Sequence, residues 1–395
     1  MSSVGTGTSE RCPVVHYDQT ATGPALSHLR ALDELRTLGP IIHSTNGLGF
    51  FVVTEASGVR EVVQQPETFS SSVPVPHEPD PAYTWIPEML DPPEHTVWRQ
   101  LLSPHFTARA AEAMEQRVRA RCVEVIEPLV ARGHCDFLAD FAWRYPTSIF
   151  LDLMGLPLED LDRFLVWEHA ILHEPGKGPA AAMAAMGEVM GYFQALITQR
   201  RAAPLDDLLS AALSWQIRDE PIPDDDLLSW CLLMFMAGLD TVSIQLGYSF
   251  LHLAQTPADR QRIVADPSLV PSAVEELLRA FTFVNLGRKA MADTVVAGCP
   301  IRAGERVWAP LGAANRDPQA FERPTDVIID RAPNNHVAFG LGPHRCLGSH
   351  LARRELRVAL EEWHLRIPEY RVDDSVNVTE HGGMFGLDSL ALRWD

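Results

Sequence analysis

Residues 339 to 355 read FGLGPHRCLGSHLARRE and place one cysteine, Cys346, where turn composition gives way to helical spacing. Gly340, Gly342 and Pro343 mark the turn, and LGSHLARRELRVALEEW carries leucine and alanine at helical intervals, so Cys346 is expected at a helix N-terminus. The unpaired amides of a first helical turn and the positive end of the helix dipole favour a thiolate, which can bind a metal or attack carbon. On these residues alone a buried structural thiol, a reactive thiolate and a zinc site from His344, Cys346 and His350 all stay open.

A second stretch, WCLLMFMAGLDTVSIQ at 230 to 245, holds Gly238, Asp240 and Thr241 where leucine or alanine would be expected. An interior glycine costs a helix roughly 1 kcal/mol against alanine. A threonine hydroxyl can bond back into the helix ladder and bend it, and a buried aspartate must find partners or stay neutral. Two readings follow: a kink whose polar pair faces a neighbouring helix, or a groove beside the glycine where an acid and an alcohol relay protons.

The elements that would position these residues are mostly helical. ALSHLRALDELRTLG (25 to 39) has helical spacing, and IIHSTNGLGFFVVT (41 to 54) reads as a hairpin around Asn46-Gly47. Residues 67 to 93 form a long loop rich in proline, serine and aromatics, of a length usually kept for function. From DPPEHTVWRQLL to about residue 280 the pattern is helical, with breaks near EPGKGP and RDEPIPDDD. The longest helix is expected at about 223 to 255, roughly 50 Å at 1.5 Å per residue. Strand patterns return at 294 to 310 and after 368, giving a mainly α protein with small β-sheets. Residues 1–24 read as a polar N-terminal tail and 25–395 as one domain.

The chain has 395 residues, 46% of them hydrophobic, and a formal charge of −19. That charge argues against nucleic acid or an anionic membrane as a partner. No apolar run long enough to span a bilayer is evident, and the N-terminus MSSVGTGTSERCPVV lacks the apolar core of a signal peptide. Cys12, Cys122, Cys135, Cys231, Cys299 and Cys346 show no CxxC spacing, which points to a reduced, cytoplasmic protein.

Read together, the two motifs resemble the cytochrome P450 family. Phe339, Gly342, Cys346 and Gly348 fill its haem-ligand signature, and Ala237 to Thr241 fill its second motif about a hundred residues earlier, with Val242 where a second threonine is usual. Glu276 and Arg279 in VEELLRAF match a third motif, which with Arg331 would lock the cysteine loop. The pattern is nearest to the camphor hydroxylase group, through AYTWIPEMLDPPE (82 to 94), AGLDTV and the ending LALRWD.

The resemblance implies the cytochrome P450 fold, with haem b (iron protoporphyrin IX) held between a long distal helix and a proximal cysteine-bearing helix. Cys346 would be the iron ligand, Phe339 its shield, and Gly340, Gly342 and Gly348 would give turn and clearance, with Ala237 against the ring from the distal side. His344, Arg288, His95 and Arg99 would hold the haem propionates. On the distal side Gly238 would leave room for O₂, Thr241 would hydrogen-bond the bound oxygen, and Asp240 would feed protons from solvent. Tyr83, Trp85, Ile86, Met234, Val284, Leu286, Met384 and Phe385 would line the substrate pocket, with Met183, Met186 and Met190 as a pliable roof.

The activity so implied is oxidation of a compact hydrophobic small molecule, such as a terpenoid, with O₂ and two electrons. Hydroxylation is the default outcome; desaturation, epoxidation or radical coupling are alternatives. A peroxide-using or ligand-binding haem-thiolate protein is a rival that Asp240 and Thr241 argue against. Electrons would come from a ferredoxin-type donor with its reductase, docking on a basic face of Arg99, Arg109, Arg345, Arg353 and Arg354. The protein is expected to be a monomer.

Overall fold

The computed structural model describes residues 12–75, 81, 83–173, 179–383 and 385–395. The 41 to 54 hairpin forms as its β-branched and aromatic residues dictate: Ile41–Ser44 pairs antiparallel with Phe50–Val53, Ile41 facing Val53 and Ser44 facing Phe50. Arg306–Pro310, Asn285–Ala290 and Phe69–Ser70 extend it, in that order, towards a small sheet at one side of a helical body.

The expected N-terminal tail is in part a component of these sheets. Val14–Val15 pairs in parallel with His43 and Ser44, and Gly23–Pro24 pairs with Thr379 and Glu380. Glu380 also accepts from the backbone N–H of Leu26 and of His28 and from Ser27 Oγ, satisfying the open donors at the start of helix Ser27–Leu38. Burial alone would raise this carboxyl, but the hydrogen bonds and charge of His28 and the Ser27 hydroxyl pull it down to about 2. The expectation of six unpaired cysteines is corrected as well: Cys12 and Cys299 form a disulfide across 287 residues of chain. Proximity of two sheets, not local spacing, creates that pair.

The long helix runs Asp224–Gln255. Its first half buries Leu227, Trp230, Phe235 and Leu239 against Phe150, Phe164 and Trp167. Its second half buries Ile244, Leu246, Phe250 and Leu253 against Phe137, Phe141 and Trp363. The handover between these two cores falls at Asp240 and Thr241. By length and composition this helix and Ala180–Ala202 could each cross a bilayer, contrary to the expectation of no such segment; 67% of the apolar window in the long helix is instead buried within the protein. The cysteine-bearing segment leads into helix Ser349–Arg366, on the far side of a cavity from the long helix.

Candidate active site

A cavity of about 340 Å³ lies between the two motifs. The long helix lines it with Met234, Ala237, Gly238 and Thr241, and the cysteine segment lines it with Phe339, Gly340, Cys346 and Gly348. The cysteine segment reaches this position through two left-handed residues, Gly340 at φ 70° and Gly342 at φ 68°. A side chain at Gly342 would also press on the Val63 carbonyl, at 2.8 Å from its Cβ. The turn is closed by the Cys346 N–H, which donates to the Phe339 carbonyl at 2.7 Å.

Cys346 precedes the helix start at Ser349 by three residues, at the N-terminal end of the helix that the spacing predicts. Burial raises its thiol, and the Gly348 N–H, Arg99 and Arg345 lower it without overcoming burial. The thiol is open only because it faces the cavity.

A buried ion pair holds this loop. Arg279 donates from Nε and Nη2 to Glu276, both at 2.8 Å, and Nη1 reaches the Asn315 and Pro324 carbonyls. Arg331 Nε and Asn334 Nδ2 add to the same carboxylate at 3.0 and 3.2 Å. Glu276 is completely buried, so leaving its carboxylate without these partners would cost about 1–3 kcal/mol or more. The i, i+3 spacing would by default mark a surface pair; here tertiary packing seals it.

At the cavity rim Arg99 Nη2 donates to the Arg345 carbonyl at 2.7 Å. Arg288 Nη1 donates to the Gly287 carbonyl at 2.7 Å, while its buried Nη2 has no partner. Among the described residues both ring nitrogens of His95 are likewise buried without one, whereas His344 Nε2 meets Ser71 Oγ at 3.0 Å and its Nδ1 faces Glu88 Oε2 at 3.9 Å; the two rings lie 4.0 Å apart. Burial, then the charges of His344 and Arg99, push the His95 imidazole down to about 4. Orphaned donors of this kind fit an anionic group bound among them. Gly348 fits a flat ligand, because a Cβ there would meet nothing within 4 Å and would project into the cavity it lines.

On the opposite wall Thr241 Oγ1 donates to the Ala237 carbonyl at 3.2 Å. This back-bond accounts for the polar residue inside the helix.

The comparisons with known proteins bear on this arrangement. The sequence profile of "Cytochrome P450" matches residues 260–366. "Probable cytochrome P450 127A1" of Sinorhizobium fredii is 34% identical over 90% of this chain and 87% of its own. "Mycinamicin IV hydroxylase/epoxidase" of Micromonospora griseorubida is 36% identical over 77% of this chain and 75% of its own. The crystal structure of CYP101C1 superposes with a TM-score of 0.88 at 33% identity, covering 97% of each chain. This chain is a cytochrome P450.

As a P450 it resembles the CYP101 group, in keeping with the camphor hydroxylase pattern in its sequence. Proteins of this family are haem b monooxygenases, and the cavity's rim donors, its thiol and the open face of Gly348 fit that cofactor.

Not every expected site residue reaches the P450 cavity. Met234, Val284 and Leu286 line it. Tyr83 and Trp85 stack on each other at 4.7 Å and do not line it, and Ile86 is buried in the core around Trp98 and Phe150. Phe385 stacks on His28 at 4.3 Å, inside the other core. Met384 lies outside the described residues. Met183 and Met190 face solvent, and Met186 packs on the core, so the methionine roof is not formed by them.

Two further corrections concern the catalytic helix and the basic face. Gly238 provides clearance to a ring as well as to the cavity, since a Cβ there would fall 2.6 Å from Phe150 Cδ2. Asp240 is fully buried and does not line the cavity, so it cannot meet solvent protons itself. Arg353 is held by Glu275 at 2.6 and 2.8 Å and Arg354 is paired with Glu115, which leaves Arg109 and Arg345 as the exposed cations of the expected docking face.

Sequence reasoning missed Phe150, Leu153, Trp230, Leu233 and Glu88 on the cavity wall. The first four have the same helical spacing as core residues, and nothing local separates a cavity wall from a core.

Proposed function

We propose that this P450 hydroxylates a compact, hydrophobic small molecule, with the Cys346 thiolate holding the haem iron. The observation that carries this reading is one cavity shared by Cys346 and Gly348 on one wall and by Gly238 and Thr241 on the other. When bound, haem held by a thiolate would supply the O₂ activation that a carrier haem lacks. The remaining roles belong to the chain.

Arg288, Arg99, His95 and His344 would hold the propionates, and the unpartnered nitrogens of Arg288 and His95 support that reading. Phe339 covers the sulfur and is itself covered by the Arg353 guanidinium, 4.4 Å from its ring centroid. Gly340 and Ala237 line the cavity from its two walls and would flank the ring. Thr241 would position a hydroxyl at the oxygen site, and Asp240, the next residue, would pass on the proton that must follow. Met234, Val284 and Leu286 contact the guest, along with Phe150 and Leu233. Such a wall excludes water and offers few polar contacts, so shape would select the guest. A relative named as a hydroxylase/epoxidase is in keeping with hydroxylation of a natural product, with epoxidation as a second outcome of the same site.

Electrons come from a separate ferredoxin-type donor with its reductase, docked near Arg109 and Arg345. The protein works as a cytoplasmic monomer. The test is spectroscopic: the reduced, CO-treated holoprotein gives the red-shifted Soret band of thiolate-ligated haem, and Cys346→Ala loses it. Screening steroids, terpenoids and macrolides for the low-spin to high-spin shift then identifies the guest, and turnover with O₂, ferredoxin and reductase yields its hydroxylated product. A haem-loaded protein without the thiolate band would overturn the reading.

A further inference from the structure

Asp240 has no exposed surface, yet a line of hydrogen bonds runs from it to the partly exposed Asp388. Its Oδ1 accepts from His173 Nε2 at 2.9 Å. His173 Nδ1 meets His381 Nε2 at 3.0 Å, and His381 Nδ1 meets Asp388 Oδ1 at 2.9 Å. The two imidazole side chains are each 5% exposed, whereas Asp388 is 45% exposed. The four residues come from separate places in the chain: the long helix, the π-helical turn His169–His173, and the C-terminal pair Thr379–His381 and Gly386–Leu387 with the residue after it.

We propose that Asp388, His381 and His173 relay protons from solvent to Asp240. The proposal rests on the reading that Asp240 and Thr241 deliver protons to the distal pocket, and supplies the path that a buried acid needs.

With Asp240 and Asp388 ionised, counting hydrogens fixes the charge of the relay. Both outer ring nitrogens face carboxylates, which only accept, so His173 Nε2 and His381 Nδ1 each carry hydrogen. The inner nitrogen pair needs one hydrogen more. Two neutral rings hold too few, so the pair carries one positive charge between two carboxylates. Burial by itself lowers His173, but the charge and hydrogen bond of Asp240, with Asp388 beyond, raise it above its ordinary value. Burial and then the His173 charge hold His381 below its own, so the cation resides on His173, beside Asp240.

The neighbours keep it there. Among the described residues Glu168 is buried with neither oxygen partnered, and burial followed by the Asp240 charge pushes its carboxyl well up. It stays protonated and adds no second negative charge. The His169 ring, 5.2 Å from His173, and Trp143, 5.7 Å away, close the remaining sides.

In one transfer the His173 Nε2–H bond breaks and an O–H bond forms on Asp240 Oδ1, leaving His173 neutral. Asp240 passes that proton towards Thr241. The rings then reverse their donors, and a proton taken from water at Asp388 crosses His381 to restore the cation. One proton enters for each that leaves, and no electron moves.

The relay can be read without turnover. In ¹⁵N-histidine-labelled holoenzyme as the diamagnetic ferrous CO complex, His173 should show both ring nitrogens protonated at neutral pH, and Asp240→Asn should return it to a neutral ring. Asp388→Asn should slow exchange of the His173 N–H with water about tenfold. In turnover with NADPH, ferredoxin, reductase and the guest found by spin shift, Asp388→Asn and His381→Phe should lower product per O₂ about tenfold and raise the solvent isotope effect. Asp388→Glu should restore coupling, and turnover driven by hydrogen peroxide, which brings its own protons, should be unchanged. Unaltered coupling in these variants while Thr241→Ala uncouples would overturn the relay and leave the distal reading standing. Unaltered coupling in Thr241→Ala and Asp240→Asn would remove the distal reading itself. Because Glu168, His173 and Asp240 present ligand atoms within 4.8 Å of one another, Zn²⁺ is the control. Stoichiometric Zn²⁺ that survives dialysis and abolishes the His173 N–H signals would assign the cluster to a metal instead.

Discussion

Glu276 and Arg279 are joined by two hydrogen bonds of 2.8 Å, and neither side chain is exposed to solvent. Removing either partner strands a buried charge, at a cost of about 3–5 kcal/mol. Glu276 also receives the Ile328 N–H at 2.8 Å and the Arg331 Nε, so its loss should loosen the segment that leads to Cys346. Thermal unfolding of holoprotein should place Glu276→Ala and Arg279→Ala far below wild type, with loss of the thiolate CO band before global unfolding. Arg262→Gln, which breaks an exposed pair with Asp330, should cost under about 1 kcal/mol and leave the band intact.

Gly238→Ala sets a helix gain of roughly 1 kcal/mol against overpacking of about 1–3 kcal/mol. The new Cβ would press on Phe150, a buried ring that also lines the cavity, so relief lies in moving the ring inward. Guest affinity measured by spin-state titration should fall about tenfold with little change in Tm. Phe150→Leu in the same background should recover it. An affinity untouched by Gly238→Ala would mean the ring has another place to go.

Arg288 is buried with one nitrogen unpartnered in the protein alone, so its stabilisation depends on an anionic group in the cavity. Arg288→Leu should speed haem transfer to apomyoglobin by about tenfold, the factor matching the loss of one charge-assisted contact. The Arg262→Gln protein should transfer haem at the wild-type rate.

The acid side of the stability profile should report buried histidine. His364 is 6% exposed, bonded to the Leu360 carbonyl at 2.8 Å and to the Tyr370 hydroxyl at 3.1 Å. Burial chiefly lowers its imidazole, to about 4. The unfolded ring takes a proton below a pH of about 6.5 that the folded ring refuses until about 4, so stability is full above that window and falls as pH drops through it. The loss is roughly 3 kcal/mol. Denaturant titrations of His364→Phe should show a shallower slope between these values, with the remainder carried by groups such as His95. Glu275 and Glu380, both held down at about 2, lose support only at still lower pH, which separates their effect from that of His364.

The parts of this protein legible in the sequence are those that must sit within one turn of chain. Phe339 to Gly348 and Ala237 to Thr241 carry their chemistry at fixed short spacings, because a planar cofactor needs its ligand and its clearance on adjacent backbone. The 41 to 54 hairpin and the long helix were legible for a similar reason, since turn chemistry and periodicity are local. What lay beyond the sequence was direction. Asp240 adjoins Thr241, but a helix turns about 100° per residue, so the hydroxyl meets the cavity while the carboxylate meets His173 on another face. Phe385 and Ile86 are apolar whether they line a pocket or fill a core, and only packing sent them to the core. Cys12 and Cys299, or Asp388 and Asp240, become partners through sheets and loops closed over long separations. Local spacing thus determined the cofactor and its axial chemistry, whereas the tertiary fold decided which side chains face the guest and by what route protons reach it.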